Sequence, residues 1–220
     1  MTGHPDGSVD PWSLRDHSED YLAEDEVLLA ARDAAISLGC APVGPGAGAG
    51  LRFLAATINA KAVVEIGTGA GVSGLWLLRG MTPDGVLTSI DIDPEYQRVA
   101  RRAFTAAGHG PSRLRLINGL GLEVLPRLTD GGYDLVFVDA DPADQPRYLD
   151  EAVRLLRNGG IVVLNQALVP GPLDADPALD PDAPTPVLLR DAARQARGDD
   201  RLVPLLLPLG NGLLTAVKKA

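Results

Sequence analysis

A glycine-rich turn carries most of the chemistry that this sequence offers. The segment VVEIGTGAGVSG, residues 63–74, leads from a β-branched run into a helical pattern. Glycines at positions 67, 69 and 71 allow the backbone to turn sharply and to approach a ligand closely. The helix that follows would offer free N–H groups to a carboxylate or a phosphate. The segment therefore indicates a ligand-binding loop at the end of a strand.

Glu65 distinguishes between two classes of ligand that this loop could bind. Gly69, Gly71 and Gly74 satisfy the dinucleotide pattern G-x-G-x-x-G, and Asp91 follows at about the distance that an NAD site requires. A carboxylate at Glu65 would, however, face the pyrophosphate of NAD. S-adenosylmethionine (SAM) has no phosphate, and its sulfonium and ammonium groups are attracted to an acid. Glu65 therefore favours SAM over NAD; the alternative is a solvated carboxylate at a strand end.

Two further polar residues fit the same ligand. Asp91 ends the second strand in LTSIDIDPE, where a carboxylate can accept hydrogen bonds from both ribose hydroxyls. Asp91 could instead cap the next helix, but Asp93 already fills that role directly before Pro94. Ser73 could cap its own helix or reach the carboxylate of the ligand, and the sequence does not separate these two roles.

Alternating strands and helices must position these residues. Such units need crossover connections, which predict an α/β, Rossmann-like, doubly wound fold with helices on both faces of a mostly parallel seven-stranded sheet. The last two apolar runs are joined by LGNG, which predicts a hairpin and an antiparallel C-terminal strand. The predicted strands are Ala62–Ile66, Val86–Ile90, Leu114–Ile117, Tyr133–Val138, Gly160–Leu164, Leu202–Leu207 and Gly212–Val217. The predicted helices between them are near Val72–Arg79, Glu95–Ala107, Leu122–Leu128 and Gln145–Leu156.

The regions outside this alternation have their own patterns. Residues 1–17 are polar and predict a flexible tail, followed by a single domain over residues 18–220. Apolar residues at helical spacing predict an N-terminal helix over Leu22–Leu38, and Leu51–Ala60 predicts a second helix after a Gly/Pro loop at Ala41–Gly50. The Pro- and Asp-rich stretch Val169–Pro186 favours a mobile surface loop, with a lid over a site as the alternative.

Composition limits the partners and the compartment. Acidic residues outnumber basic ones 29 to 20, and the formal net charge of −9 disfavours binding to nucleic acid. The one cysteine, Cys40, cannot form an internal disulfide, which suits a reducing compartment. The N-terminus lacks the features of a signal peptide, and no apolar run is long enough to span a bilayer. We therefore expect a cytoplasmic protein without a nucleic-acid or membrane partner.

Several motifs in order make the chain resemble a known family. VVEIGTGAGVSG, SIDIDPE, YDLVFVDAD and RLLRNGGIVVL are similar to motifs of the SAM-dependent O-methyltransferases of the catechol and caffeoyl-CoA type, in particular their small bacterial, actinobacterial-like branch. The resemblance implies methyl transfer from SAM to a hydroxyl of a small acceptor such as a phenol. It also implies a homodimer, to which the Leu22–Leu38 helix would contribute part of the interface. The implied SAM contacts are Val43, Glu65, Gly67, Thr68, Gly69, Ser73, Asp91, Ile92 and Asp139, with the adenine near Gly119, Leu120 and Gly121.

The chain departs from this family where the chemistry takes place. Pro142 replaces the lysine that follows the fourth-strand motif, so Asp139 and Asp141 are the remaining candidates for the catalytic base. Asn165–Gln166 replaces an Asp-Asn pair that binds a divalent cation. Asp139 and Asn165 stay weak metal candidates, but hard cations favour carboxylates, so we expect no tight metal site. Two functions remain open: a methyltransferase with little need for metal, and a SAM-binding protein that has lost methyl transfer.

Overall fold

A seven-stranded sheet in the order β3-β2-β1-β4-β5-β7-β6 forms the centre of the molecule. The computed structural model describes residues 17–167 and 186–220. Neighbouring strands among β1–β5 are parallel, and β7 is antiparallel to both β5 and β6. This arrangement confirms the predicted doubly wound sheet and its C-terminal hairpin. The strands are β1 (Ala62–Ile66), β2 (Val86–Asp91), β3 (Leu114–Asn118), β4 (Tyr133–Val138), β5 (Leu156–Leu164), β6 (Leu202–Leu207) and β7 (Leu213–Lys218).

Helices cover both faces of the sheet. Successive strand residues point to opposite faces, so Val63 and Val64 of β1 belong to two different hydrophobic clusters. The first cluster packs against α1–α4, and the second packs against α5–α7. The helices are α1 (Glu26–Ser37), α2 (Pro45–Thr57), α3 (Val72–Gly80), α4 (Pro94–Ala106), α5 (Gly121–Val124), α6 (Gln145–Leu155) and α7 (Pro186–Gly198).

The second helix differs from its prediction. Helix α2 begins at Pro45, inside the stretch that was expected to be a Gly/Pro loop up to Gly50. Proline is well suited to the first turn of a helix because it needs no N–H partner there. Gly48 is needed because a Cβ atom at this position would lie 2.3 Å from the indole ring of Trp76. The glycines of this segment thus serve close packing within a helix.

Smaller differences have local causes. Helix α1 begins at Glu26 because the Asp25 carboxylate accepts a hydrogen bond from the Leu28 amide at 3.0 Å. The predicted helix Leu122–Leu128 divides into α5 and a 3₁₀ turn, Leu125–Arg127, that contains a proline. Helix α7 was not predicted as a helix.

Two predicted segments fall largely outside the described residues. Of the predicted tail, only His17 is described, in a short helical stretch over residues 17–20. Of the predicted loop Val169–Pro186, only Pro186 is described, as the first residue of α7. Within residues 17–167 and 186–220, no helix is long and apolar enough to cross a membrane.

Candidate active site

The carboxyl ends of β1, β2 and β4 meet where the order of the sheet reverses. The chain runs from β1 outward to β2 and β3, and then returns to place β4 on the other side of β1. Such a switch point leaves a crevice at the ends of the strands. The Gly67 amide donates to the Ile90 oxygen at 2.9 Å, and the Asp139 amide donates to the Ile66 oxygen at 2.8 Å. The loops after β1 and β4 are therefore anchored directly to the sheet.

The glycine loop needs its glycines for close approach. Gly67 has a φ of +93°, and a Cβ atom there would lie 2.0 Å from the main-chain oxygen of Asp139. Gly71, with a φ of +94°, is the N-cap of α3 and supplies no side-chain hydrogen bond to the helix. The N–H groups of the first turn of α3 are thus left without a side-chain cap from this residue.

Glu65 lies beneath the loop and is fully buried. Its carboxylate accepts hydrogen bonds from the Ser73 hydroxyl at 2.7 Å and the Ser89 hydroxyl at 2.5 Å. The Ser89 hydroxyl also contacts that of Thr68 at 2.7 Å. Burial raises the pKa of Glu65 to about 7, although both serine hydrogen bonds favour the charged form. A solvated strand-end carboxylate is therefore ruled out.

Ser73 stands between Glu65 and open space. A narrow crevice separates the glycine loop from the chain before α2, and its wall includes Cys40, Pro42, Val43, Gly67, Ser73 and Asp139. Glu65 is not among the described residues that line this crevice. Direct contact between Glu65 and a ligand, on which the argument against NAD depends, stays a prediction. Ser73 instead joins the buried carboxylate to the crevice.

Asp91 shapes the other side of the loop. Its Oδ2 accepts a hydrogen bond from the Gly69 amide at 2.9 Å, and its Oδ1 accepts one from the Asp93 amide at 2.9 Å. Asp93 caps α4 through the Glu95 amide at 2.7 Å, as predicted. A carboxylate oxygen can accept more than one hydrogen bond, so Asp91 keeps capacity for a ligand hydroxyl.

Two exposed apolar side chains lie at the neighbouring strand ends. Ile92 is 63% exposed and Leu120 is 49% exposed. The Gly119 amide donates to the main-chain oxygen of Asp91 at 2.9 Å, which brings the ends of β2 and β3 together. Gly121 is buried and begins α5. These residues offer an apolar surface next to Asp91.

Asp139 is held by a hydrogen bond from a neighbouring amide. Its Oδ1 accepts a hydrogen bond from Asn165 Nδ2 at 2.9 Å, and the main-chain oxygen of Asn165 accepts one from Gln145 Nε2 at 2.9 Å. Burial raises the pKa of Asp139, and the hydrogen bonds from Asn165 and Gln166 act in the opposite direction. A carboxylate with a raised pKa is a better proton acceptor.

The donor set suits a divalent cation poorly. Asn165 presents an N–H group to Asp139, so the two side chains complement each other and not a metal. No group of three His, Cys, Asp or Glu side chains suited to a metal occurs in the part of the chain that the structure describes. One carboxylate and neutral amides are weak ligands for a hard cation.

Asp141, the other candidate base, lies apart from the crevice. It is exposed, and its Oδ1 accepts a hydrogen bond from the Ala143 amide at 2.9 Å. This contact caps the 3₁₀ turn Pro142–Asp144, which begins with Pro142. Of the two candidates, the structure brings only Asp139 to the wall of the crevice.

A larger polar cavity of about 320 Å³ adjoins the crevice. The two spaces share Ala41, Pro42 and Val43 as a common wall. The polar members of the cavity wall are Glu19, Asn165, Gln166 and Asn211. Glu19 and Asn211 were missed by the sequence analysis, because Glu19 belongs to no motif, Asn211 belongs only to the hairpin signal LGNG, and the two lie far apart along the chain.

A second missed group supports the shared wall. Arg32 on α1 donates two hydrogen bonds to Glu24, at 2.7 and 2.6 Å, and one to the main-chain oxygen of Val43, at 2.9 Å. The indole N–H of Trp76 also donates to Glu24 at 3.3 Å. No local pattern marks these residues, because they join three separate parts of the chain.

Comparison with known proteins identifies the family. A model of the O-methyltransferase family matches residues 18–219, and the chain belongs to this family. A Mycobacterium ulcerans protein provisionally named an O-methyltransferase is 56% identical over 205 residues, which cover 93% of this chain and 90% of that protein.

Solved structures agree with this assignment. A Corynebacterium glutamicum protein is 32% identical with a TM-score of 0.83, over 95% of this chain and 97% of that one. The O-methyltransferase TomG of Streptomyces achromogenes, solved in complex with SAM, is 28% identical with a TM-score of 0.81, over 94% and 96% of the two chains. The predicted family, Rossmann-like fold and enzyme class are thereby confirmed, and the SAM complex of TomG agrees with the predicted cofactor.

Proposed function

We propose that this O-methyltransferase transfers the methyl group of SAM to a hydroxyl of a small acceptor, with Asp139 as the base and without a tightly bound metal. The observation that carries the proposal is the convergence of the glycine loop, Asp91 and Asp139 at the switch point of the sheet. SAM, when bound, supplies a methyl group that its sulfonium has already activated.

The residues of the crevice suit this cofactor. We assign the ribose hydroxyls to Asp91 and the adenine to the surface formed by Ile92, Leu120 and the neighbouring Gly119 and Gly121. We assign the methionine part to Val43, Gly67, Thr68, Gly69 and Ser73, beside the uncapped start of α3. Glu65 would then support Ser73 from below and add negative charge beneath a cationic ligand when it is ionised.

Asp139 suits the role of base because it lines the crevice close to the polar cavity. The Asp139 carboxylate would accept the proton of the acceptor O–H as the acceptor oxygen bonds to the methyl carbon, and the carbon–sulfur bond of SAM would break to release S-adenosylhomocysteine. Asn165 would keep the carboxylate oriented through its 2.9 Å hydrogen bond. Orientation of the two reactants would supply most of the acceleration.

Binding and turnover test the proposal together. Calorimetry with SAM, with its demethylated product and with NAD should show binding of the first two only. Methyl transfer should then be measured against a panel of phenols, with Mg²⁺ and with EDTA. Binding of NAD without binding of SAM would overturn the assignment of the cofactor.

The second candidate function is SAM binding without methyl transfer, because Pro142 and Asn165 stand where the family has a lysine and a carboxylate. The same assay tests it. A protein that has lost methyl transfer would bind SAM and leave every acceptor unmodified. The homodimer, the cytoplasmic location and the lack of a nucleic-acid partner stay predictions.

A further inference from the structure

The polar cavity has one acidic wall. Glu19 belongs to the helical stretch at residues 17–20, and its side chain lines the cavity. Its Oε2 accepts a hydrogen bond from the Gly46 amide at 2.9 Å, and its Oε1 accepts one from the Gly210 amide at 2.7 Å. The carboxylate is therefore fixed between the start of α2 and the β6–β7 turn, because leaving this position would break both hydrogen bonds.

The remaining wall of the cavity does not balance this charge. Asn165, Gln166 and Asn211 contribute neutral amides, and none of the described lining residues is Lys, Arg or His. Asp139 lies next to the cavity through its hydrogen bond with Asn165. Carboxylates without a cation in a concave, partly enclosed space produce a negative potential there.

We infer that the polar cavity holds the methyl acceptor and that Glu19 makes it select phenols without negative charge, with amine-bearing phenols bound best. This inference rests on the proposed function, since it names the acceptor of the same reaction. A carboxylate or phosphate on the acceptor would face Glu19 and Asp139 and be repelled, whereas an ammonium group would be attracted. The amides of Asn165 and Asn211 can bind hydroxyl groups of a neutral acceptor.

Three catechols that differ only in charge test the inference. Catechol, its 2-aminoethyl derivative and its 2-carboxyethyl derivative should be titrated by calorimetry into the protein saturated with S-adenosylhomocysteine. We expect the carboxyethyl compound to bind about tenfold or more weakly than the aminoethyl compound, because like charges are brought together. Where turnover occurs with SAM, kcat/KM should follow the same order.

Variants at Asn211 isolate the effect of charge. Asn211 is exposed in the β6–β7 turn, so its replacement leaves both hydrogen bonds of Glu19 in place. Asn211→Lys brings a cation to the cavity and should shift the ratio of the two affinities by about tenfold in favour of the carboxyethyl compound. The neutral control Asn211→Gln should leave this ratio unchanged. Glu19→Gln should remove the preference for the aminoethyl over the carboxyethyl compound. If Glu19→Gln does not fold, Asn211→Lys alone tests the inference.

The outcomes separate this inference from the proposed function. Equal binding of the aminoethyl and carboxyethyl compounds, an order that Asn211→Lys does not move, or no binding of any of the three catechols would each overturn the inference. Failure of the proposed function would appear instead as loss of SAM binding, or as no methyl transfer to catechols that bind in the expected order.

Discussion

The Arg32 guanidinium donates a hydrogen bond to the main-chain oxygen of Val43 at 2.9 Å. Val43 lines both the narrow crevice and the polar cavity. The same guanidinium is fixed by two hydrogen bonds to Glu24, whose side chain is almost completely buried. An ion pair outside both spaces therefore sets the position of the wall that they share.

This relationship gives a first prediction for Arg32→Lys. Lysine keeps the charge but lacks the planar guanidinium group, so it cannot donate hydrogen bonds to both Glu24 and the Val43 oxygen with the same geometry. We expect SAM to bind about tenfold more weakly, a cost of about 1.4 kcal/mol, with a smaller change in kcat. Calorimetry measures the affinity. Arg79→Lys, which changes a pair with Asp25 away from the shared wall, is the control; equal SAM affinity in the two variants would contradict the role of Arg32.

A second prediction compares two neighbouring aspartates. Asp91→Ala removes both the acceptor for the Gly69 amide and the proposed ribose contact, so SAM binding should weaken by about 1.5–3 kcal/mol. Asp93→Ala removes only the cap of α4, so it should lower the free energy of unfolding by about 1 kcal/mol and leave SAM affinity unchanged. Titration calorimetry and urea unfolding measure the two effects. Unchanged affinity in Asp91→Ala would make Asp91 a purely structural residue.

The third prediction concerns pH and Glu65. Its pKa is raised by burial to about 7, so the folded protein holds this proton more tightly than the unfolded chain does. The stabilisation from the proton is complete below the ordinary glutamate pKa of about 4.3 and is lost as the pH rises through about 7. Glu65→Gln stays neutral, so its free energy of unfolding should rise relative to the unmodified protein by about 4 kcal/mol across this window.

Urea unfolding at a series of pH values measures this difference. Glu123→Gln, which neutralises an exposed carboxylate, is the matched control and should show no comparable trend. A constant difference between Glu65→Gln and the unmodified protein from acid to neutral pH would mean that folding does not raise the pKa of Glu65.

The fourth prediction concerns metal. Asn165→Asp with Gln166→Asn replaces the N–H donor to Asp139 by a second carboxylate, so the two acids should repel each other. We expect a lower melting temperature without divalent ions and a rise when Mg²⁺ or Mn²⁺ is added, because a ligand of the native state stabilises it. Gln166→Asn alone keeps the Asn165–Asp139 contact and should not respond. Methyl transfer by the unmodified protein should be largely insensitive to EDTA, and strong inhibition that Mg²⁺ reverses would show that its site still uses a metal.

The fifth prediction concerns assembly. Leu29 and Ile36 are 48% and 65% exposed on α1. We expect sedimentation at micromolar concentration to give twice the mass of the chain. Leu29→Glu with Ile36→Glu should give a monomer, whereas Phe53→Glu, at an exposed position on α2, should not. A monomeric unmodified protein would contradict the prediction.

Short runs of mainly apolar residues are the part of this fold that local sequence predicts best. Ala62–Ile66, Tyr133–Val138 and Leu202–Leu207 match the structure at both ends, whereas β5 begins at Leu156, four residues before the predicted Gly160. Helix α2 could not be predicted in full. Its first residues have the local preferences of a loop, and they become helical where Gly48 packs against Trp76 and Glu19 accepts the Gly46 amide.

The candidate site likewise contains residues that the sequence predicts and residues that it does not. Gly67 and Asp91 were predicted because each lies at or next to a strand end, where parallel strands bring side chains together, and Asp139 was predicted from the resemblance to the family. The burial of Glu65 could not be read from its position, since it depends on hydroxyls that α3 and β2 supply. Glu19 and Arg32 act through partners remote in sequence, and a single sequence contains no local pattern for such contacts.

The hydrogen bond from the Gly210 amide to Glu19 spans 191 positions of the chain. During synthesis, which proceeds from the N-terminus, β1, β2 and β4 emerge from the ribosome well before the β6–β7 turn does. All the residues that line the narrow crevice are therefore synthesised before the β6–β7 turn, which completes the wall of the polar cavity. In the order of synthesis, the proposed place for the methyl donor precedes the proposed place for the acceptor.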